Sequence, residues 1–425
     1  MTEDPSRPLG ASPEHHPALT AVRRAERLAI LDVLRGFAIL GILFVNVHFY
    51  SRPIYAVFRD VDRSASAVDR AVVTATTLFV SEKFFSILSV LFGIGTAILF
   101  DRASARGVPV GPVYLRRLAG LFAIGIVHAF SMYSGDFIGN YAVLGVLLWW
   151  FRKANGRKLL AWSAIALLVP CLMMAQGLLA RPAVGDGDRA PSVEQHERQQ
   201  HRREALDRRI EESVRVYGRG TVAEIFRLRS REVVMQYSSL LFVGWKMFAM
   251  FLVGMWCWRS GLVRGVDGEG RWPAFLRKTL WVSGAVGVLG SLLSLYGETA
   301  DAGLGAGLRF AAFVGQQFGA PALAVFYMTA ITLLYRGGTG ERWLGRLAPV
   351  GRMAMSNYVA QSLVCSTMFY SYGLGWFGRL SYGEAALLAV AVCVAQVAAS
   401  AWWLARFEFG PLEWLLRRWV YGGAS

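Results

Sequence analysis

Apolar residues run in long blocks along nearly the whole chain, separated by short polar stretches. Most blocks have the roughly 20 residues that a helix needs to cross a bilayer. Ten stand out, at about 29–50, 71–100, 115–133, 137–151, 159–180, 237–259, 278–297, 309–335, 351–377 and 383–404, the fourth being short. Barrel strands would be half as long and would alternate in polarity, and a lipid-exposed backbone must satisfy its own hydrogen bonds. The pattern therefore predicts an all-α fold, a polytopic membrane bundle of about ten transmembrane helices. It divides the chain into a tail at 1–28, a five-helix half at 29–180, a polar loop at 181–236, a second five-helix half at 237–405 and a tail at 406–425.

Composition supports this division. Only 17% of the residues are charged and mean hydropathy is +0.40, whereas soluble domains carry about 25% charged residues. The net charge of +16 would suit nucleic acid if it formed one block. Instead the basic residues alternate between loops, as topology signals do, and no nucleic-acid partner is expected. Arg23, Arg24 and Arg27 precede the first block, Arg102, Arg106, Arg116 and Arg117 separate the second and third, and Arg152, Lys153, Arg157 and Lys158 follow the fourth. With ten spans all such groups fall on one side, which places both termini in the cytoplasm. The 181–236 loop is Arg-rich, but segments this long translocate largely regardless of charge. Its helical charge pattern predicts a solvated surface helix outside the membrane or a lid over an outward-facing site. The Pro-rich first 22 residues read as a disordered cytoplasmic tail and not as a cleavable signal peptide.

Candidate chemistry lies in the few polar residues kept inside the blocks, each of which costs about 2.5 to 3.5 kcal/mol at mid-bilayer if charged. Asp32 and Arg35 are three apart on one helix face and can pair. Asn46, eleven residues past Arg35, returns to nearly the same face about 16 Å further out, while His48 falls elsewhere and reads as a packing residue. The third block repeats the arrangement, with Arg117 at its basic end and His128 eleven residues on, rising toward Gly135-Asp136. These stripes predict a polar path from a basic inner mouth toward an outer imidazole and amide, unless the residues serve only to pair helices. Glu82 and Lys83 are too far round a helix to pair with each other, and Asp32 is the expected partner of Lys83. Lys246 is expected to snorkel. Asn357 and Gln361 lie one turn apart and are candidates to face a substrate or a neighbouring helix, with Arg352 at the basic mouth.

The four cysteines, Cys171, Cys257, Cys365 and Cys393, lie in apolar blocks without a CxxC pair, so neither disulfide framework nor zinc site is predicted. The absence of GxxxxGK[ST], HExxH and GxSxG motifs removes support for a nucleotide-driven pump, a zinc protease or a serine hydrolase of the usual kinds.

Five blocks taken in order, LDVLRGFAILGILFVN, EKFFSILSVLFGIG, GIVHAFSMYSGDFIGNYAVLG, PVGRMAMSNYVAQSLVCSTMFY and RFEFGPLEWLLRRW, resemble the bacterial YeiB-type family, domain of unknown function 418. The resemblance extends over about 29–420, apart from the polar loop. That family is grouped with transmembrane acyltransferases, among them the lysosomal heparan-α-glucosaminide N-acetyltransferase and bacterial O-acetyltransferases of surface sugars. It implies a multi-pass protein of the bacterial inner membrane that takes an acetyl or other short acyl group from cytoplasmic acyl-CoA. The acceptor would be a hydroxyl or amine of an extracytoplasmic sugar, lipid or secondary metabolite, with no metal required. The resemblance carries the family's polar positions onto Asp32, Arg35, Asn46, Lys83, His128, Asp136, Asn357 and Gln361; with the polar stripe it suggests that Arg35, Arg116, Arg117 and Arg352 hold the CoA phosphates, that His128 is the base, that Asp136 orients the imidazole or the acceptor, and that Asn46, Asn357 or Gln361 meets the oxyanion. Asp32 and Lys83 complete the polar set. Related O-acyltransferases carry a histidine where Asn46 stands, which leaves the base to His128. The membrane lipids are the other expected partners, and the sequence leaves a homodimer open. A proton-coupled transporter of small molecules or lipids, or a non-catalytic scaffold, would also keep buried polar residues; a transporter should show internal repeats, and none is clear.

Overall fold

In the computed structural model, residues 28–56, 66–179, 193–265, 271–299 and 305–422 are described. The tail expected at 1–28 falls outside them apart from Leu28. Each apolar block forms helix because only an internally hydrogen-bonded backbone is stable away from water. The helices are α1 (Ala29–Ser51), α2 (Ala67–Phe79), α3 (Lys83–Ala105), α4 (Val110–Ser131), α5 (Ile138–Gly145) and α6 (Gly156–Leu179), then α7 (Val193–Arg219), α8 (Val222–Arg259), α9 (Arg271–Thr299) and α10 (Ala306–Arg336). Two short helices, α11 (Thr339–Leu344) and α12 (Ala348–Arg352), lead into α13 (Ala354–Phe369), followed by α14 (Tyr382–Leu404) and α15 (Pro411–Tyr421).

Among the described residues, eight helical segments are long and apolar enough to cross a membrane, two fewer than the ten expected, with α2 and α3 together forming one of them. The fourth block is short: α5 runs on into a 3-10 turn and the whole extends only over Ile138–Phe151. The ninth is broken at Met353 into α12 and the 16-residue α13. Both shortened segments hold buried polar side chains, Asn140 in α5 and Asn357, Gln361 and Ser362 in α13. A helix shielded from lipid by longer neighbours need not span the hydrocarbon. The boundary expected at 236–237 also disappears, because α8 runs unbroken for 38 residues from a Thr221–Glu224 capping box.

The centre is formed by α1 and α3, whose most apolar stretches are 72% and 78% buried, against 22% for α4 and α9. Helices α3 and α8 cross at Gly93 and Gly254: a Cβ on Gly254 would lie 2.0 Å from the Val90 carbonyl oxygen, and one on Gly93 2.0 Å from that of Phe251. Small residues at such crossings let backbones approach, which is how helices associate where no hydrophobic drive separates protein from lipid.

Helices α1 and α3 are antiparallel, since Gly41 meets Phe84 while Leu31 and Leu34 share a cavity with Val90 and Ile94. The structure corrects one expected ion pair and one expected snorkelling lysine. Asp32 bonds to Arg35 at 2.8 Å as predicted, but it sits about 13 Å along α1 from the level of Lys83, whose ammonium instead donates to the Thr77 carbonyl at 2.7 Å. Lys246 does not snorkel; its buried ammonium pairs with Glu82, the one non-glycine among the described residues with a positive φ, 66°. A partner across the helix interface satisfies the charge where an approach to the surface would leave the packed α3–α8 contact. Lys246→Met is therefore expected to destabilise the protein by about 1–3 kcal/mol, less than for a wholly buried pair because Glu82 is partly exposed. The addition of Glu82→Gln should restore most of that loss. Thermal unfolding in detergent measures both, and two additive losses would show that the ions do not act as a pair.

Candidate functional site

Helix α4 ends at Ser131 and the chain turns through 132–137 before α5 begins, because Gly135-Asp136 interrupts the apolar run. Asp136 accepts the Gly139 amide on Oδ2 at 2.6 Å, capping the first turn of α5. Its Oδ1 lies 2.8 Å from His128 Nδ1. The turn folds back closely on α4, and a Cβ on Gly125 would stand 2.2 Å from the Gly139 nitrogen and 2.7 Å from Asp136 Oδ2.

The other imidazole nitrogen, Nε2, is 2.6 Å from Ser362 Oγ on α13, and Tyr50 of α1 donates to that oxygen at 2.5 Å. Asp136, His128 and Ser362 are 1%, 2% and 0% exposed, so this chain of bonds is closed from solvent on all sides. A carboxylate accepts only, which assigns the Nδ1 proton to the bond with Asp136 and leaves Nε2 to accept from Ser362. The result is a serine, a histidine and an aspartate in the mutual arrangement that activates a hydroxyl, a constellation recognised by geometry and not by sequence order.

Supports converge on it. Tyr133 packs on Tyr50 with ring centroids 4.3 Å apart and planes tilted by 34°, and donates to Asn46 Oδ1 at 3.3 Å. The 132–137 turn is held by two buried residues of α8, Arg229 on the Phe130 and Ser131 carbonyls and Glu232 on Ser134 and Tyr217. Helix α13 has no side-chain cap of its own. Glu413 of α15 supplies one, accepting the Met355 and Ser356 amides at 2.7 and 3.1 Å and the Ser356 hydroxyl. Burial pushes the Glu413 carboxyl upward against the pull of those hydrogen bonds.

At the opposite end of α4, the Arg117 guanidinium lies over the Phe92 ring at 5.4 Å and within electrostatic reach of Arg35 and Tyr421. Arg352 donates to the Glu408 carbonyl at 3.2 Å, and its neighbour Gly351 packs on the Asp32 carbonyl, a Cβ there lying 1.8 Å away. Arg35, Arg117 and Arg352 thus share one end of the bundle, about 16 Å along α4 from His128. Arg116 points outward; its carbonyl accepts the Trp419 indole at 2.9 Å.

Comparison with known proteins assigns the lineage. The chain is 33% identical over 411 residues to uncharacterized protein YxaH of Bacillus subtilis (strain 168), covering 93% of this chain and 94% of the relative. It is 28% identical over 407 residues to uncharacterized protein YeiB of Escherichia coli (strain K12), covering 92% and 96%. A 39.9 kDa protein encoded in the amylase 3′ region of Bacillus acidopullulyticus is 27% identical over 399 residues. Residues 257–423 match the family described as Protein of unknown function (DUF418). The chain belongs to the DUF418 family. No solved structure matches it.

Not every expected site residue of this DUF418 protein reaches the imidazole. Asn357 donates to the Val350 carbonyl and Ser400, and Gln361 to the Ile39 carbonyl and Gln396, at 2.8–3.1 Å. Their amide donors join α13 to α1 and α14 and are not aimed at His128, which corrects the expectation of oxyanion donors there. Asn46 stands one ring away from the imidazole, behind Tyr133. His48 packs against the Tyr382 ring at a tilt of 55°, centroids 5.1 Å apart, in keeping with a packing role. Among the described residues no cluster of three or more His, Cys, Asp or Glu side chains is arranged to hold a metal.

Ser362, Tyr50, Arg229 and Glu232 went unnoticed in the sequence. Serine is ordinary in membrane helices, and Ser362 meets His128 only across 234 residues of chain. Arg229 and Glu232 are hidden among the many charges of the polar loop. One end of that loop does close over the site: Val216 and Tyr217 of α7 are buried in one cluster with Tyr50, Tyr133, Tyr370 and Phe377. Beside it lies a cavity of about 360 Å³ lined by Tyr55, Arg209, Glu212 and Arg231 together with apolar residues of α8. A second cavity, about 220 Å³ and almost wholly apolar, lies near Leu31 and Cys257 among α1, α3, α8, α9 and α10. Neither is lined by His128, Asp136 or Ser362.

Proposed function

We propose that this multi-pass membrane protein is an acyltransferase that moves a short acyl group from cytoplasmic acyl-CoA to a hydroxyl or amine on the far side of the membrane. The observation that carries the reading is His128, oriented by Asp136 on one nitrogen and bonded to a hydroxyl on the other. A buried imidazole so held is placed to take a proton from that hydroxyl as a general base.

The arginine-bearing end would face the cytoplasm by the positive-inside rule. Arg35, Arg117 and Arg352 there offer fork-shaped donors to the phosphates of acyl-CoA, whose extended arm would run along α4 toward His128. The acceptor would approach from the α7–α8 side, where the cavity at Tyr55, Arg209, Glu212 and Arg231 has the mixed hydrogen-bonding character that sugars and polar headgroups need. Because the triad is closed, at least one of these approaches must open during turnover, and the Tyr217 end of α7 is the segment that covers it from outside.

Purified protein in liposomes, given radiolabelled acetyl-CoA and a bacterial envelope extract as acceptor, should transfer label to sugar, lipid or small molecule. Solute uptake without any transfer of label would select the transporter in its place.

A further inference from the structure

We infer that Ser362 is a nucleophile that carries the acyl group covalently between donor and acceptor, so that the reaction proceeds by double displacement. The inference rests on the acyl-transfer reading and deepens it. In a direct transfer the acceptor hydroxyl would have to sit on His128 Nε2, yet that nitrogen already holds Ser362 Oγ at 2.6 Å.

The proton count favours the serine. Ser362 Oγ has one proton and two acceptors in range, His128 Nε2 at 2.6 Å and the Tyr358 carbonyl, one turn back on α13, at 3.2 Å. Tyr50 donates to the same oxygen, which orients its remaining proton without removing it. The shorter bond to an imidazole that is itself fixed by Asp136 is the arrangement that deprotonates a hydroxyl during attack. An oxyanion needs a donor as well. The Tyr358 hydroxyl is buried beside the Phe137 amide without a hydrogen bond of good geometry, and its ring lies 5.1 Å from that of His128. That hydroxyl would serve as the donor.

In the first half-reaction Ser362 Oγ attacks the thioester carbonyl while its proton passes to His128 Nε2. The carbon–sulfur bond breaks and the CoA thiolate takes that proton, leaving an ester on Ser362. In the second, the acceptor hydroxyl gives its proton to His128 and attacks the ester. The Ser362 Oγ–carbon bond breaks and His128 returns the proton to the serine. No oxidant or further reactant is needed. A relay also suits a closed site reached from opposite ends, since CoA departs before the acceptor arrives.

The adduct and exchange assays use full-length protein in detergent, acetyl-CoA and longer acyl-CoAs as probes and no acceptor, and transfer is measured separately with the envelope extract added. Acid-quenched wild-type protein is expected to carry an acyl group on the peptide containing Ser362 by mass spectrometry, and to exchange label between acyl-CoA and free CoA. Ser362→Ala should lose the adduct and the exchange, and transfer should fall by about 10³-fold or more. Ser362→Cys, close in shape, should fold and accumulate a thioester that neutral hydroxylamine cleaves. An acyl group found on His128, or a folded Ser362→Ala protein that transfers within about tenfold of wild type, overturns the relay and leaves the acyl-transfer reading intact. Wild-type protein that neither transfers nor accepts an acyl group with any probe overturns both.

Discussion

Acyl transfer by His128→Gln is expected to fall by about 10³-fold or more, with the protein still folded. Glutamine keeps a polar group between Asp136 and Ser362 but has no site that accepts a proton at neutral pH, so the base is removed and the packing is largely kept. Asp136→Asn should fall by a similar factor for a different reason: an amide can donate toward Nδ1, which favours the tautomer whose Nε2 carries a proton and cannot take one from a hydroxyl. Gly139 would also lose a carboxylate acceptor. Rates should be measured beside size-exclusion profiles and thermal unfolding. A well-folded His128→Gln protein with wild-type transfer would remove His128 from the chemistry, whatever the fate of Ser362.

The largest structural effect is expected at the α3–α8 crossing. Gly254→Leu would set a Cβ 2.0 Å from the Val90 carbonyl oxygen and 2.9 Å from the Ile94 amide. These are backbone atoms of a central helix, which no side-chain rotation can move aside. Overpacking commonly costs about 1–3 kcal/mol when side chains can yield, so here the loss should lie at the upper end or beyond it. Little monodisperse protein should survive extraction, while Gly177→Leu, at a position with open space around it, should behave as wild type. Equal stability of the two variants would mean that α3 and α8 do not cross at these glycines.

The two predictions bear on different layers of the molecule. The glycine crossing holds α8 against α3, and α8 in turn carries Arg229 and Glu232 to the turn that presents Asp136. Loss of the crossing would therefore silence the site indirectly, whereas His128→Gln should silence it alone.

Much of the bundle was legible in hydropathy because a bilayer imposes one length and one backbone solution on any segment that crosses it. The Asp32–Arg35 pair was legible for the same local reason, being three residues apart on one helix. His128 and Asp136 were also visible, only eight residues apart and conspicuous in an apolar run. What could not be read were contacts that depend on which helix lies beside which. Glu82, for which the sequence offered no partner, met Lys246 because α3 packs on α8, and Asp32 missed Lys83 because α1 and α3 run in opposite directions. Asn357 and Gln361 turned toward α14, while the unremarked Ser362 beside them faced the imidazole. Periodicity places a residue on a face of its own helix, within about 100° per position. It carries no information about the neighbour that face will meet, and a three-residue hydrogen-bonded site drawn from α4, the turn after it and α13 exists only once those neighbours are packed.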